Sequence, residues 1–202
     1  MDYEDSSARL HGILSRINAL MIFMIYFKPK TNKLNDVLTK DPRLTRFDVL
    51  GRALTSTFIY SYKVQDQVSC IVFIDSDRKL LITVGPNDVR TQKLITDEDA
   101  VNLLRSLVMR GKNVIEDIDY QEVLRIIHSA GYRMYYLHEG GELLQCLHKG
   151  KLAFVVCSNI DPPKPHVEHE VFSIGPLPYQ VNHVITCINW LYNSRKWCLS
   201  SS

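Results

Sequence analysis

The sequence predicts an α/β fold in which helices cover both faces of a mostly parallel sheet. Short runs that are apolar at every position alternate with amphipathic segments of helical length. A run that is apolar on both faces is typical of a strand in a parallel sheet, because such a strand is covered from both sides. Alternation of such strands with helices is typical of strands that run in the same direction.

The chain has the length of one domain. Its 202 residues suffice to bury a core without disulfides or metals. Residues 1–20 are polar and mixed in charge, with weak helical spacing of apolar residues. We interpret residues 1–20 as an N-terminal extension with at most one short helix, and residues 21–202 as a single domain.

Composition and charge are those of a globular protein and do not indicate which partner it binds. Hydrophobic residues make up 46% of the chain, and the net charge of +2 is compatible with a nucleic-acid-binding protein whose positive charge is gathered on one face. The five cysteines form no C-x-x-C pair, which predicts reduced thiols in a cytoplasmic protein. The apolar run Ala19–Phe27 is about half the length that crosses a bilayer, so we expect no membrane segment.

Six segments are predicted as strands: Leu20–Phe27, Val68–Ile74, Arg78–Val84, Arg133–His138, Leu152–Cys157 and Val171–Ile174. Helices are predicted at about Thr45–Tyr60, from Thr96 to a stop at Gly111, and at about Asp119–Ser129 and Gln180–Asn193. Thr96 begins its helix because its hydroxyl can accept from a backbone N–H three residues on. The segment Glu139–Glu142 (EGGE) is predicted as a tight turn in which glycine supplies positive φ.

General catalytic motifs are absent from the sequence. It contains neither a G-x-G-x-x-G segment after a strand nor a phosphate-binding loop of the Walker type. His166 and His169 lie in a proline-rich loop and lack nearby further ligands, so a solvated loop is favoured over a zinc site. Cys157 and His183 are residue types that can act as a nucleophile and its base. No third residue in the sequence is placed to orient them, so this interpretation is not favoured.

Three stretches carry a resemblance to a known family. They are Thr45–Arg52 (TRFDVLGR), Tyr135–Glu142 (YYLHEGGE), and Ser173–Leu177 followed by Asn182–Thr186. In that order they resemble the R-x-D-V-L-x-R, Y-Y-L-H-x-x-G-E and S-L-S-P-L…N-H-C-I-T patterns of the TrmY family, which belongs to the SPOUT class of methyltransferases. Together with the opening strand, the resemblance spans about residues 21–193.

The resemblance implies a fold, a cofactor and a reaction. The SPOUT fold threads the C-terminal part of its parallel sheet into a deep trefoil knot, which is almost unknown in other proteins. The family is homodimeric, binds S-adenosylmethionine in the knotted loops, and methylates N1 of pseudouridine at position 54 in the T-loop of tRNA. A sister SPOUT family performs the same chemistry on ribosomal RNA of the small subunit, which leaves ribosomal RNA as an alternative target.

The resemblance also implies which residues bind the cofactor, largely through backbone N–H and C=O groups of loops. These residues are Leu137, Cys157, Ile174, Gly175, Pro176, Leu177, Pro178, Tyr179 and Val184. On the residues alone, Leu137 and Ile174–Leu177 are explained as a strand end and a loop without a ligand. No metal ligand is implied.

The N1 proton of pseudouridine must leave when the nitrogen attacks the methyl group. The resemblance implies Asp48 as the general base, because the aspartate of the family's R-x-D pattern lies on the helix that borders the site. The alternative is that Asp48 caps or ion-pairs at its helix start, where an anion is favoured. Arg46 and Arg52 are candidate phosphate contacts, since the guanidinium fork matches phosphate oxygens. Both arginines are equally explained as solubilising residues or as partners of Asp48.

The sequence departs from the family pattern at the cofactor loops. Cys157-Ser158-Asn159 replaces a G-D-H segment, so a glycine and a carboxylate are missing, and Val184 replaces a cysteine. These departures support a second hypothesis, an RNA-binding or assembly protein that keeps the fold without the cofactor. For the homodimer, a stripe of Val184, Ile188 and Leu191 on the last helix either contacts a second subunit or faces the domain's own core.

Overall fold

The computed structural model describes residues 3–17, 19–61, 63–94, 96–177 and 179–198. The helices are α1 (Tyr3–Ile17), α2 (Leu34–Thr39), α3 (Pro42–Thr45), α4 (Asp48–Phe58), α5 (Pro86–Gln92), α6 (Asp97–Arg110), α7 (Tyr120–Ser129) and α8 (Val181–Asn193). The strands are β1 (Met21–Phe27), β2 (Ile59–Tyr60), β3 (Lys63–Val64), β4 (Val68–Ile74), β5 (Leu80–Val84), β6 (Val114–Glu116), β7 (Arg133–Leu143), β8 (Leu152–Cys157) and β9 (Glu170–Ser173).

Seven of these strands form one sheet in the order β6-β5-β4-β1-β8-β7-β9. The pairs from β4 through β1, β8 and β7 to β9 are parallel, whereas β5 and β6 are antiparallel. A short connection joins β4 to β5, and a chain that turns back at once pairs antiparallel. The predicted α/β fold with a mostly parallel sheet is confirmed.

Helices cover both faces of this sheet and bury two separate cores. Side chains of β1 alternate between them, as the period of a strand requires. Phe23 and Ile25 pack in the core beneath α4, α6 and α8, whereas Ile22 and Met24 pack beneath α1 and α7. The two cores explain why the strands are apolar at every position.

The predicted turn at Glu139–Glu142 is wrong, because β7 continues through it as a bulge. Phe172 of β9 pairs with both Leu137 and Glu142, so the residues between them loop out of the ladder. Neither glycine of the segment has positive φ. Gly141 instead allows the backbones of β7 and β9 to approach each other closely, since a Cβ there would lie 2.6 Å from the backbone carbonyl carbon of Phe172.

The predicted helix Thr45–Tyr60 is divided near its start. The structure has the short helix α3, then Arg46 with a left-handed φ of 67°, and then α4. The predicted start at Thr96 is confirmed, because its hydroxyl accepts from the backbone N–H of Asp99 at 3.1 Å.

Helix α1 packs on the sheet domain through its apolar stripe. Leu10, Ile13 and Leu14 are buried in the core beneath α1 and α7. Ser7 donates a hydrogen bond to Glu122 of α7 at 3.1 Å. The division into residues 1–20 and 21–202 stays a prediction.

A disulfide joins Cys146 to Cys198, so the prediction of reduced thiols is wrong for these two residues. Short pairing brings the two segments together: Leu147 donates to the carbonyl of Lys196 at 2.8 Å, and Cys198 donates to the carbonyl of Leu147 at 2.9 Å. The cysteines lie 52 positions apart, so their meeting depends on the path of the chain after α8. Within the described ranges, no helix is both long and apolar enough to cross a membrane.

Candidate functional site

A cleft of about 520 Å³, counted with its open mouth, lies where β8 and β9 end and β7 bulges. Carboxyl ends of parallel strands meet at one edge of a sheet, which is where open α/β sheets bind ligands. The lining residues are Leu137, His138, Glu139, Val156, Cys157, Asp161, Phe172, Ser173, Ile174, Gly175, Leu177, Tyr179 and Val184.

Most positions predicted for the cofactor line this one cleft. They are Leu137, Cys157, Ile174, Gly175, Leu177, Tyr179 and Val184. Pro176 does not line the cleft, and Pro178 lies outside the described residues. The structure therefore brings together parts of the chain that are distant in sequence.

The segment after β9 is held in a tight turn. The Ser173 hydroxyl donates to the carbonyl of Gly175 at 2.9 Å and accepts from its N–H at 3.1 Å. A Cβ on Gly175 would lie 2.6 Å from the hydroxyl oxygen of Tyr179. The absence of a side chain at Gly175 thus lets the Tyr179 ring pack against the backbone at the cleft wall.

Cys157 forms part of the wall. Burial raises the pKa of its thiol, and the nearby carboxylates of Asp161 and Glu139 raise it further. A thiol with a raised pKa remains protonated near neutral pH and is a weak nucleophile. Cys157 therefore acts as a half-buried apolar surface, and His183 does not line the cleft.

The predicted base and one predicted arginine line a second cleft of about 1150 Å³, counted with its open mouth. Arg52 donates to Oδ2 of Asp48 at 3.0 Å, which is the ion pair foreseen as an alternative role for both. Oδ1 of Asp48 is buried without a hydrogen-bond partner. Arg46 does not line this cleft, and none of the three residues lines the first one.

Two further arginines of the second cleft were missed by sequence reasoning, Arg43 and Arg105. Arg105 of α6 donates through Nη2 to the carbonyl of Lys40 at 2.6 Å, and its Nε is buried without a partner. Neither arginine belongs to a motif, so no local signal distinguished them from surface residues.

The loop histidines form no metal site with their neighbours. The ring of His169 hydrogen-bonds through Nδ1 to the carbonyl oxygen of Val167 at 2.8 Å. Across the described part of the chain, no group of three His, Cys, Asp or Glu side chains is placed to hold a metal ion.

The last helix turns two residues of its predicted stripe inward. Ile188 and Leu191 are buried in the core beneath α4 and α8, which is the second of the two roles considered for them. Val184 lines the first cleft. The exposed residues of α8 are His183, Thr186, Cys187, Trp190 and Asn193.

The fold is that of a solved protein, Nep1 from Archaeoglobus fulgidus bound to S-adenosylhomocysteine. The two structures superpose with a TM-score of 0.53 over 88% of this chain and 98% of the Nep1 chain, at 11% sequence identity. No protein-family model matches the sequence, and no curated protein sequence matches it. At this identity the likeness concerns the fold.

Proposed function

We propose that this chain is an S-adenosylmethionine-dependent methyltransferase of the SPOUT class that acts on RNA. One observation carries the proposal: the loops predicted to hold the cofactor converge on one open cleft. The fold is shared with Nep1, which was solved with S-adenosylhomocysteine, the molecule left when S-adenosylmethionine has given up its methyl group.

The lining of the cleft suits the cofactor in chemistry. Small-molecule sites are lined mainly by apolar side chains with a few polar groups. Leu137, Ile174 and Val184 offer apolar walls for the adenine. Cys157, which replaces a glycine of the family pattern, lines the wall of the cleft.

The bound cofactor supplies a methyl group already activated by a cationic sulfur. The residues of the chain then have to align the target nitrogen and remove its proton. We assign the proton to the carboxylate of Asp48, which lines the second cleft and is held by Arg52 through Oδ2. Arg46 and Arg52 remain our candidates for phosphate contacts.

Asp48 and the cofactor cleft belong to different parts of one chain, so we propose that a homodimer completes the site. By the resemblance, SPOUT sites combine residues of two subunits. Trp190 on the exposed face of α8, together with Leu177 and Tyr179 at the cleft, offers exposed apolar side chains for this contact. An isologous contact of this kind is the commonest form of homodimer.

For the substrate we propose N1 of pseudouridine, at position 54 of tRNA, in the cytoplasm. The finer target rests on the motif resemblance, and ribosomal RNA is the alternative. The trefoil knot stays a prediction of the same resemblance. Cys157 in place of glycine favours one further candidate, an RNA-binding protein of this fold without methyltransferase activity.

Calorimetry with S-adenosylmethionine tests the cofactor, and mass mapping of transcripts with and without pseudouridine tests the target. We expect saturable binding and a methyl group on N1 at the T-loop position. Absence of heat at high protein concentration, with tRNA still bound, would instead support the candidate without activity. Methylation of ribosomal RNA fragments in place of tRNA would mean that ribosomal RNA is the substrate.

A further inference from the structure

The mouth of the cofactor cleft carries negative charge. Glu139 and Asp161 line it, and no lysine or arginine is among the described residues that do so. Resting on the proposed function, we infer that Glu139 and Asp161 make the cleft favour the cationic methyl donor over its product, which has lost the sulfonium charge.

The bulge of β7 places the first carboxylate. His138 and Glu139 lie in the segment that leaves the ladder between Leu137 and Glu142, and both line the cleft. Gly141 permits the return of the strand, because its backbone approaches that of Phe172 too closely for a side chain. Bulges commonly redirect side chains next to functional sites, and this one directs Glu139 to the cleft mouth.

The loop after β8 places the second carboxylate. The Asp161 carboxylate lies near Cys157 and raises the pKa of its thiol, and Oδ2 of Asp161 lies 4.0 Å from Nε2 of His138. Asp161 therefore faces the same opening as Glu139, although it stands on a different segment of the chain.

The field of both carboxylates reaches into the cleft. Burial is the largest cause of the raised pKa of the Cys157 thiol, which lies on the cleft wall, and the charges of Asp161 and Glu139 raise this pKa further. A group that disfavours the thiolate at that wall also favours a cation there, since both effects have the same Coulombic origin. The Asp161 side chain is 67% exposed, so this attraction is partly screened by solvent and salt.

The two ligands of the reaction differ in one methyl group and in the positive charge of the sulfur that carries it. S-adenosylmethionine has a cationic sulfonium, whereas S-adenosylhomocysteine has a neutral thioether, and the rest of the two molecules is the same. An anionic mouth therefore stabilises the donor and leaves the product less well bound. The consequence for turnover is easier exchange of product for a new donor.

Titration of purified protein with each ligand tests the inference. The variants are Glu139→Gln, Asp161→Asn and their combination, at mildly alkaline pH, where histidine is neutral. Each substitution should weaken the binding of S-adenosylmethionine about two- to five-fold. The affinity for S-adenosylhomocysteine should change by less than about two-fold. The donor preference of the wild type should also shrink as salt is raised.

Glu142→Gln is the matched control, because Glu142 is an exposed carboxylate on the same strand that does not line the cleft. It should change neither affinity, and circular dichroism should show all variants folded. Equal losses for both ligands would mean that the carboxylates contact a shared part of the molecule, and the inference would be overturned while the proposed function stands. Failure of the wild type to bind either ligand would overturn both.

Discussion

At the residue scale, Gly175 couples the turn after β9 to the shape of the cleft. Gly175→Ala would place a methyl group 2.6 Å from the Tyr179 hydroxyl, so the ring has to move across the cleft. Because the far end of a partly exposed side chain can yield, we expect a loss of stability below about 1.5 kcal/mol. We expect cofactor affinity to fall about ten-fold, measured by calorimetry. Unchanged affinity would place Tyr179 outside the bound ligand's reach.

Asp48 is the second residue whose role can be separated from its structural contribution. Asp48→Asn removes the acceptor charge but keeps the shape, so methyl transfer should fall about 100-fold or more while cofactor affinity stays unchanged. The carboxylate is 31% exposed and its partner Arg52 is 33% exposed, so unfolding free energy should change by less than about 1 kcal/mol.

The matched control for Asp48 is Asp36→Asn. Asp36 forms an ion pair of the same spacing with Lys40, at 2.9 Å, and lines neither cleft. Single-turnover methylation of tRNA should be normal in this control. Equal activity of the two variants would remove Asp48 from the mechanism.

At the element scale, helix α1 contributes to the fold through its buried stripe. Leu10 is 0% exposed in the core beneath α1 and α7. Leu10→Ala should therefore lower the free energy of unfolding by about 2–5 kcal/mol in urea titrations. His11→Ala on the exposed side should change it by less than about 0.5 kcal/mol. Similar small effects of both substitutions would mean that α1 is detached in solution.

The tail after α8 is the other element with a measurable contribution. The Cys146–Cys198 disulfide closes a loop of 52 positions that contains β8, β9 and α8. By the chain-entropy argument such a crosslink stabilises by about 4 kcal/mol. Cys146→Ser, or a reductant on the wild type, should lower the urea midpoint accordingly. The exposed free thiol offers the control Cys187→Ser, and equal midpoints for the two variants would contradict the expectation.

At the scale of the whole molecule, the homodimer is the feature that the proposed site requires. Trp190 is 52% exposed on the outer face of α8. Trp190→Glu would bury a charge in the proposed contact, so sedimentation should show monomers and methylation should be lost. Met109→Glu, at an exposed apolar residue of α6, should leave the dimer intact. A wild-type monomer with full activity would refute a shared site.

Much of the fold was predictable because its signals are local. The all-apolar strands Val68–Ile74 and Leu152–Cys157 match β4 and β8 as predicted, since burial on both faces leaves a continuous apolar run. The start of helix α6 after Thr96 is also a local signal, because its capping box involves residues only three positions apart. The bulge of β7 was missed, since it depends on the neighbouring strand β9.

The sequence by itself determined most of the longer strands and helices, and through its motifs which loops are candidates for the cofactor. Tertiary structure decided that these loops share one cleft while Asp48 and Arg52 line another, and that Cys146 meets Cys198. Secondary structure follows from patterns repeated within one element, whereas a site or a disulfide depends on where distant parts of the backbone come together in space.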